Sequence, residues 1–149
     1  VNHEDKESGR LTLSFTILNF DGNVLSGTFD CRAPICANEE NTGEVIRRKL
    51  RDAGFTPDDG RMFEAHYVPE DSTLVKTLLS CYEEITGKEG KPLITGGGTY
   101  VHHIKNGVAF GCGEEDVDNH MHGANEFMLV EQMKKSAVIF AAAIMRLCQ

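Results

Sequence analysis

The sequence predicts a mixed fold of the α/β (α+β) class, and three features predict it. Apolar and polar residues alternate through two neighbouring stretches, 11–17 and 24–32, the period of half-buried strands. Two later stretches, 74–85 and 130–148, repeat their apolar residues at helical spacing instead. Turn-forming residues punctuate each change of period.

Residues 1–10 are polar, charged and open without a methionine, so they are expected to be a cut point or linker rather than an element. Leu11, Leu13, Phe15 and Ile17 then alternate with Thr12, Ser14 and Thr16 as a first strand. After the Asp21-Gly22-Asn23 turn, a second strand puts Leu25, Gly27, Phe29 and Cys31 on one face and Ser26, Thr28, Asp30 and Arg32 on the other, making a hairpin. Pro34 ends it. Asn41, with Glu44 three residues on, gives a capping-box-like start to a helix carrying Val45, Ile46, Leu50 and Ala53 on one face, closed by Gly54. Residues 61–68 are expected to form a third strand. The order strand, strand, helix, strand is the last four of the six elements of a ferredoxin-like layer, so a partial layer is expected.

Beyond Pro69 a second unit is expected. Asp71 and Ser72 cap a helix whose Leu74, Val75, Leu78, Tyr82 and Ile85 keep a helical period, and Gly87 terminates it. Short strands are expected at 92–95, running into Gly96-Gly97-Gly98, and at 107–110. The long final helix, 130–148, is apolar almost all round in its second half.

Composition limits the function. Among 149 residues, 40% are apolar and 26% charged, which is ordinary globular usage and enough to build a core. With 15 basic against 23 acidic residues, the net charge of -8 and the lack of any basic stripe argue against a nucleic-acid partner. The longest apolar run, 137–145, falls far short of the roughly 20 residues that cross a bilayer, and no signal-peptide pattern opens the chain. A cytoplasmic protein with no membrane partner is the expectation. Five cysteines, an odd set without a C-x-x-C pair, are expected to be reduced and buried as small hydrophobes.

Candidate chemistry concentrates in 114–126, where Glu114, Glu115, Asp116, Asp118, His120, His122 and Glu126 fall within thirteen residues. Imidazole and carboxylate suit zinc, which in catalytic sites takes about three protein groups and an open position for water. A solvated polar loop would carry the same residues, and no H-E-x-x-H is present. Gly96-Gly97-Gly98-Thr99 lets backbone approach a ligand closely and tolerates positive φ, or is simply a tight connection at a sheet edge; a phosphate-loop lysine is absent. Arg32 could clasp a carboxylate with its guanidinium fork, or pair at the surface with Asp30 on its own face for under ~1 kcal/mol. His102 and His103, adjacent after Tyr100, would point to opposite faces of a strand and could not both line a site.

Taken in order, Thr95-Gly96-Gly97-Gly98-Thr99-Tyr100, Asn106-Gly107-Val108-Ala109-Phe110-Gly111, Glu115-Asp116 and His122-Gly123-Ala124-Asn125-Glu126, followed by a long helix, resemble the end of the dipeptidase V-like zinc peptidases. These are related to Xaa-His dipeptidases, carnosinase and aminoacylase. The resemblance covers about Leu11 to the end. It implies a two-zinc catalytic domain interrupted by a ferredoxin-like lid, with residues 11–68 as the second part of the lid and 69–149 as the closing α/β segment of the catalytic domain. It further implies that His122 is a zinc ligand, that Gly97 and Gly98 touch substrate near the metals, and that Arg32 clamps the terminal carboxylate of a dipeptide. Manganese or cobalt are the alternatives to zinc.

The chain departs from the family pattern at Val101-His102, where relatives tend to carry alanine and arginine, which bears on substrate preference. His120 is not part of the motif and stands as a neighbour only. The His-x-Asp ligand pair, the bridging aspartate, the Glu-Glu pair with the general base and the lid histidine are all implied to lie upstream. The remaining N-terminal part of the same protein is therefore an expected partner, and the chain alone is expected to be inactive. Rival readings are a free-standing binding or assembly module, using the open edge of the three-strand sheet to pair with another chain or a second copy, and a small independent metal site at His120 and His122.

Overall fold

The computed structural model describes residues 1–111, 113 and 117–148. It has the expected mixture of helices and small antiparallel sheets and divides into two compact units, Val1–Tyr67 with Ile94–Gly98, and Val68–Leu93 with Thr99–Gln149. No helix among the described residues is long and apolar enough to cross a membrane.

The first unit opens with a small hairpin, β1 (Glu4–Asp5) and β2 (Gly9–Arg10), in a stretch expected to hold no element. A single carboxylate organises it. Asp5 accepts hydrogen bonds from the Glu7 and Ser8 amides at 3.0 and 2.6 Å, from the Ser8 hydroxyl at 2.6 Å and from the Cys36 amide at 3.3 Å. The Ile35 amide in turn donates to the Ser8 hydroxyl at 2.8 Å, so the hairpin is stitched to the segment beyond the second long strand. The Ser8 hydroxyl first, and then the Ser8 amide, hold the Asp5 carboxyl well below its ordinary value, at about 2.

Strands β3 (Thr12–Phe20) and β4 (Leu25–Arg32) form the expected antiparallel hairpin. Its turn is made locally: the Asp21 side chain accepts from the amides of Asn23 and Val24 at 2.9 and 2.8 Å, and Gly22 takes the positive φ of 101° that the reversal requires. Strand β3 runs three residues past the expected alternation because of a bulge between Phe15 and Ile17. The extra residue resets the pleat, so Ile17 lies opposite Thr28 while Leu18 and Phe20 join Leu13 and Phe15 opposite Gly27, Leu25, Cys31 and Phe29 respectively. The rings of Phe15 and Phe29 meet at 4.9 Å, and a side chain at Gly27 would strike Phe15 at 2.5 Å. This apolar face stays open: Phe15, Leu18 and Phe20 are 51, 62 and 64% exposed.

The helix α1 (Glu44–Asp52) follows one π-helical turn, Glu39–Gly43, and its capping box lies three residues earlier than expected. Asn38 and Asn41, not Asn41 and Glu44, exchange side-chain and amide hydrogen bonds at 2.9 Å each. At the other end Gly54 has φ of 87°, with its amide bonded to Arg51 at 2.9 Å and that of Phe55 to Leu50 at 2.9 Å, a Schellman closure. Arg47 is buried, and its guanidinium donates to Glu39, to Glu44 at 3.2 Å and to the Gly60 carbonyl at 2.7 Å. The second Glu39 oxygen accepts the Met62 amide at 2.8 Å. Residues 61–68 are not a strand. The segment is tied to α1 through this ion pair, and no neighbouring strand offers it a ladder among the described residues.

In the second unit, α2 (Thr73–Thr86) and α3 (Val130–Leu147) pack together. Ser72 caps α2 by accepting the Val75 amide at 3.3 Å, and Gly87 ends it in the left-handed region at φ 70°, both as expected. Leu78, Cys81, Ile139 and Ala143 form the buried core, with Leu74, Tyr82, Ile85, Val108, Phe110 and Ala142 around it. Arg146 on α3 donates to Glu84 and to Ser80 on α2, and this pairing holds the Glu84 carboxyl below its ordinary value. The expected strands at 92–95 and 107–110 are irregular segments instead. Val108 and Phe110 are apolar because they line the helix core, with Phe110 edge-on to Phe140 at 5.4 Å, and not because they pair in a sheet.

The cysteines are free at 31, 36, 81 and 148, but only Cys81 is buried; Cys36 and Cys148 are exposed, and Cys112 lies outside the described residues.

Ile139→Ala should lower unfolding stability by about 2–5 kcal/mol, since Ile139 is fully buried. Ile144→Ala, at a position 60% exposed on the same helix, should change it by under about 0.5 kcal/mol, and urea unfolding compares the two. A pH series tests Asp5. Its carboxyl is depressed from 3.8 to about 2, so its contribution is present above pH 3.8 and disappears as pH falls through about 2. The stability difference between the wild-type chain and Asp5→Asn, measured by thermal unfolding, should shrink across that window and vanish below it.

Candidate functional site

Two local arrangements hold the candidate residues, one in each unit. In the first, Arg32 ends β4 opposite Thr12. Its Nε donates to Oδ2 of Asp30 at 3.0 Å, and its Nη2 lies 2.8 Å from the same oxygen. Its Nη1 donates to the carbonyl of Gly96. The surface pairing with Asp30 is thus present, together with a contact 64 residues away that sequence spacing could not reveal. Both side chains of the pair are about half exposed, 47% for Arg32 and 45% for Asp30, so the pair alone is worth under ~1 kcal/mol.

The glycine run sits against that arginine. A Cβ on Gly96 would lie 2.9 Å from Cδ of Arg32, 3.3 Å from its Cγ and 3.4 Å from its Cβ, so a side chain there would displace the arginine stem. Gly97, whose amide donates to Thr95 Oγ1 at 3.2 Å, has Nη1 of Arg32 4.0 Å from the place a Cβ would take, and Gly98 faces open space. None of the three has positive φ. Close approach, rather than an unusual backbone conformation, is what glycine supplies here.

The second arrangement is the loop 117–127. The Asp118 carboxylate accepts the His120 amide at 3.0 Å, the His120 carbonyl accepts the Gly123 amide at 2.7 Å, and the Asn119 carbonyl accepts the Phe127 amide at 3.2 Å. Glu126 reaches back to accept the His122 amide at 3.3 Å. His120, His122 and Asn125 all occupy the left-handed region, at φ 57, 62 and 59°. Three non-glycine residues so placed within six positions are a concentration of backbone strain of the kind that clusters at functional sites. A Cβ at Gly123 would meet the His120 carbonyl at 2.9 Å, which is why glycine follows His122.

The two imidazoles are used differently. The His120 ring stands edge-on to Phe127 at 5.9 Å. At His122 the bonded group is the backbone amide, and its exposed ring has no partner among the described residues. Asp118 and Glu126, counted as candidate ligands from the sequence, spend an oxygen each on loop amides. Glu114, Glu115 and Asp116 lie outside the described residues. His102 closes a local turn, accepting the Thr99 amide on Nδ1 at 3.0 Å, and the 3-10 turn Tyr100–His103 replaces the strand on which the two histidines would have pointed apart.

No group of three histidine, cysteine or acidic side chains among the described residues could hold a metal ion. His122 has the donor chemistry that zinc accepts, but one exposed imidazole is not a site. Any metal held there needs ligands from outside these residues.

Comparison with known proteins bears on both arrangements. Residues 6–146 match Peptidase family M20/M25/M40. The chain is 46% identical over 84 residues to the "Beta-Ala-Xaa dipeptidase" of Lactobacillus delbrueckii subsp. lactis, covering 56% of this chain and 18% of that protein. It is 30% identical over 142 residues to a "Putative dipeptidase" of Staphylococcus epidermidis, covering 94% of this chain and 30% of that protein. The chain therefore spans less than a third of the length of these relatives. A match that runs through β3, β4, all three helices and both candidate arrangements leads to one conclusion: the chain belongs to Peptidase family M20/M25/M40.

Proposed function

We propose that this chain is the C-terminal portion of a cytoplasmic zinc-dependent dipeptidase, with residues 11–68 as the second part of its lid and 69–149 as the closing segment of its catalytic domain. The observation that carries the reading is the family match over residues 6–146. The names of the two relatives support dipeptides as the substrate class. Their greater length supports a general base and further metal ligands supplied by the remaining, N-terminal part of the same protein.

His122 is the residue of this chain that would bind metal. Its left-handed backbone and the Glu126 clasp on its amide fix the loop while leaving the ring uncommitted. Zinc, or manganese or cobalt in its place, would supply Lewis acidity for the scissile carbonyl and acidify a water molecule. Arg32 would grip the substrate's terminal carboxylate, and Gly97 and Gly98, which present backbone without side chains, would let the substrate lie close. The uncovered face of Leu13, Phe15, Leu18 and Phe20 favours a second reading, an assembly module that pairs with another chain or a second copy.

Activity and metal content separate the two. The purified chain should show no dipeptide hydrolysis with added zinc or manganese and should bind no zinc tightly, because one imidazole cannot hold the ion against water. Chelator-sensitive hydrolysis by the isolated chain would overturn the reading. In the full-length protein, His122→Ala should remove most activity and lower bound zinc. His120→Ala, which loses only the Phe127 contact, should cost much less. Equal losses would assign the metal to the wrong imidazole, and unchanged activity and zinc in both would leave the assembly module standing.

A further inference from the structure

An arginine has five N–H donors: one on Nε and two on each terminal nitrogen. Three are accounted for at Arg32. The side edge formed by Nε and Nη2 faces Asp30 Oδ2, at 3.0 and 2.8 Å. The Nη1 hydrogen bond goes to the Gly96 carbonyl, and Gly96 lies beside the arginine stem, within 2.9 Å of Cδ measured from the place a Cβ would occupy. Because Gly96 packs beside Cδ, we assign this contact to the Nη1 hydrogen on the stem side. The two donors left over, one on Nη1 and one on Nη2, form the end fork, and no group among the described residues engages it. Parallel N–H groups at that spacing match the two oxygens of a carboxylate.

The geometry points to Asp30 and Gly96 as positioning residues that hold the Arg32 guanidinium with its end fork presented to the substrate's terminal carboxylate. This rests on the dipeptidase reading above and adds two residues to it. Asp30 fixes the plane of the fork from the side. Gly96 fixes its tilt from the stem, and does so only because it lacks a Cβ; any side chain would push the stem away. A flexible surface arginine loses rotamer freedom when it binds, and one already held by two partners loses less of it on meeting its ligand. A half-exposed pair of this kind adds little to folding stability, so its effect belongs in substrate binding.

Steady-state kinetics of the full-length protein, on a dipeptide and on the matching dipeptide amide that lacks the carboxylate, test this. Asp30→Asn, which keeps the side chain's shape, and Gly96→Ala should each raise KM for the free dipeptide about 3- to 10-fold, the worth of one lost hydrogen bond. Neither should much change kcat, kcat/KM for the amide, or the melting temperature. The Asp30→Asn, Arg32→Ala double variant should be no worse than Arg32→Ala, because Asp30 acts only through the arginine. If Arg32→Ala abolishes the preference for the free carboxylate while Asp30→Asn and Gly96→Ala leave KM unchanged or lower it, the positioning role is wrong and the clamp stands. Equal losses on dipeptide and amide, or a fall in melting temperature with the preference retained, would also refute it. If Arg32→Ala itself keeps the preference, the clamp falls and the positioning role with it.

Discussion

Burial of the Arg47 guanidinium is the constraint around which the first unit is arranged. A charge taken out of water has to be paired and hydrogen-bonded, and removing one partner of such a pair typically costs about 3–5 kcal/mol. Arg47 meets the requirement with Glu39, Glu44 and the Gly60 carbonyl, and Glu39 uses its other oxygen on the Met62 amide. One ion pair therefore joins the π-helical turn, the helix and the segment after it. The helix lies against its own preceding turn and not on the β3–β4 hairpin, so this polar hub does work that a sheet–helix core does in larger layers.

Arg32 and Arg146 show the same side chain in other settings. Arg146 ties α3 to α2 through Glu84 and Ser80 at the rim of an apolar core that already holds the helices. Arg32 lies at the half-exposed end of a strand with part of its donor set still open. Burial separates the roles: where water is excluded every donor has to find a partner within the protein, and where water reaches the group some donors remain for a ligand.

The loop that carries His122 reaches its shape by a different route. Short polar side chains, Asp118 and Glu126, accept loop amides two and four residues away, and glycine at 123 makes room for the His120 carbonyl. These bonds offset the cost of placing two histidines and an asparagine at positive φ. Asp118 and Glu126, which look like metal ligands in the sequence, are in this way the scaffold of the loop that carries His122.

What the amino-acid order determined is what neighbours within a few residues can enforce. The Asp21-Gly22 reversal, the Ser72 and Gly87 ends of α2, the Gly54 closure of α1 and the helical period of α3 all depend on contacts inside one turn, and all are present. The family was legible too, because its motifs combine specific residues in a specific order along the chain. Tertiary structure decided the rest. Residues 61–68, 92–95 and 107–110 have strand-like patterns, but a strand exists only where another strand supplies its hydrogen bonds, and the pattern cannot say whether one does. The bulge after Phe15 moved Ile17 to the other face, a one-residue event invisible to periodicity. The meeting of Arg32 with Gly96 spans 64 residues, and the bonds from Ile35 to Ser8 and from Cys36 to Asp5 span 27 and 31. Contacts at such separations are selected by the packing of whole segments, and a local reading has no access to that choice.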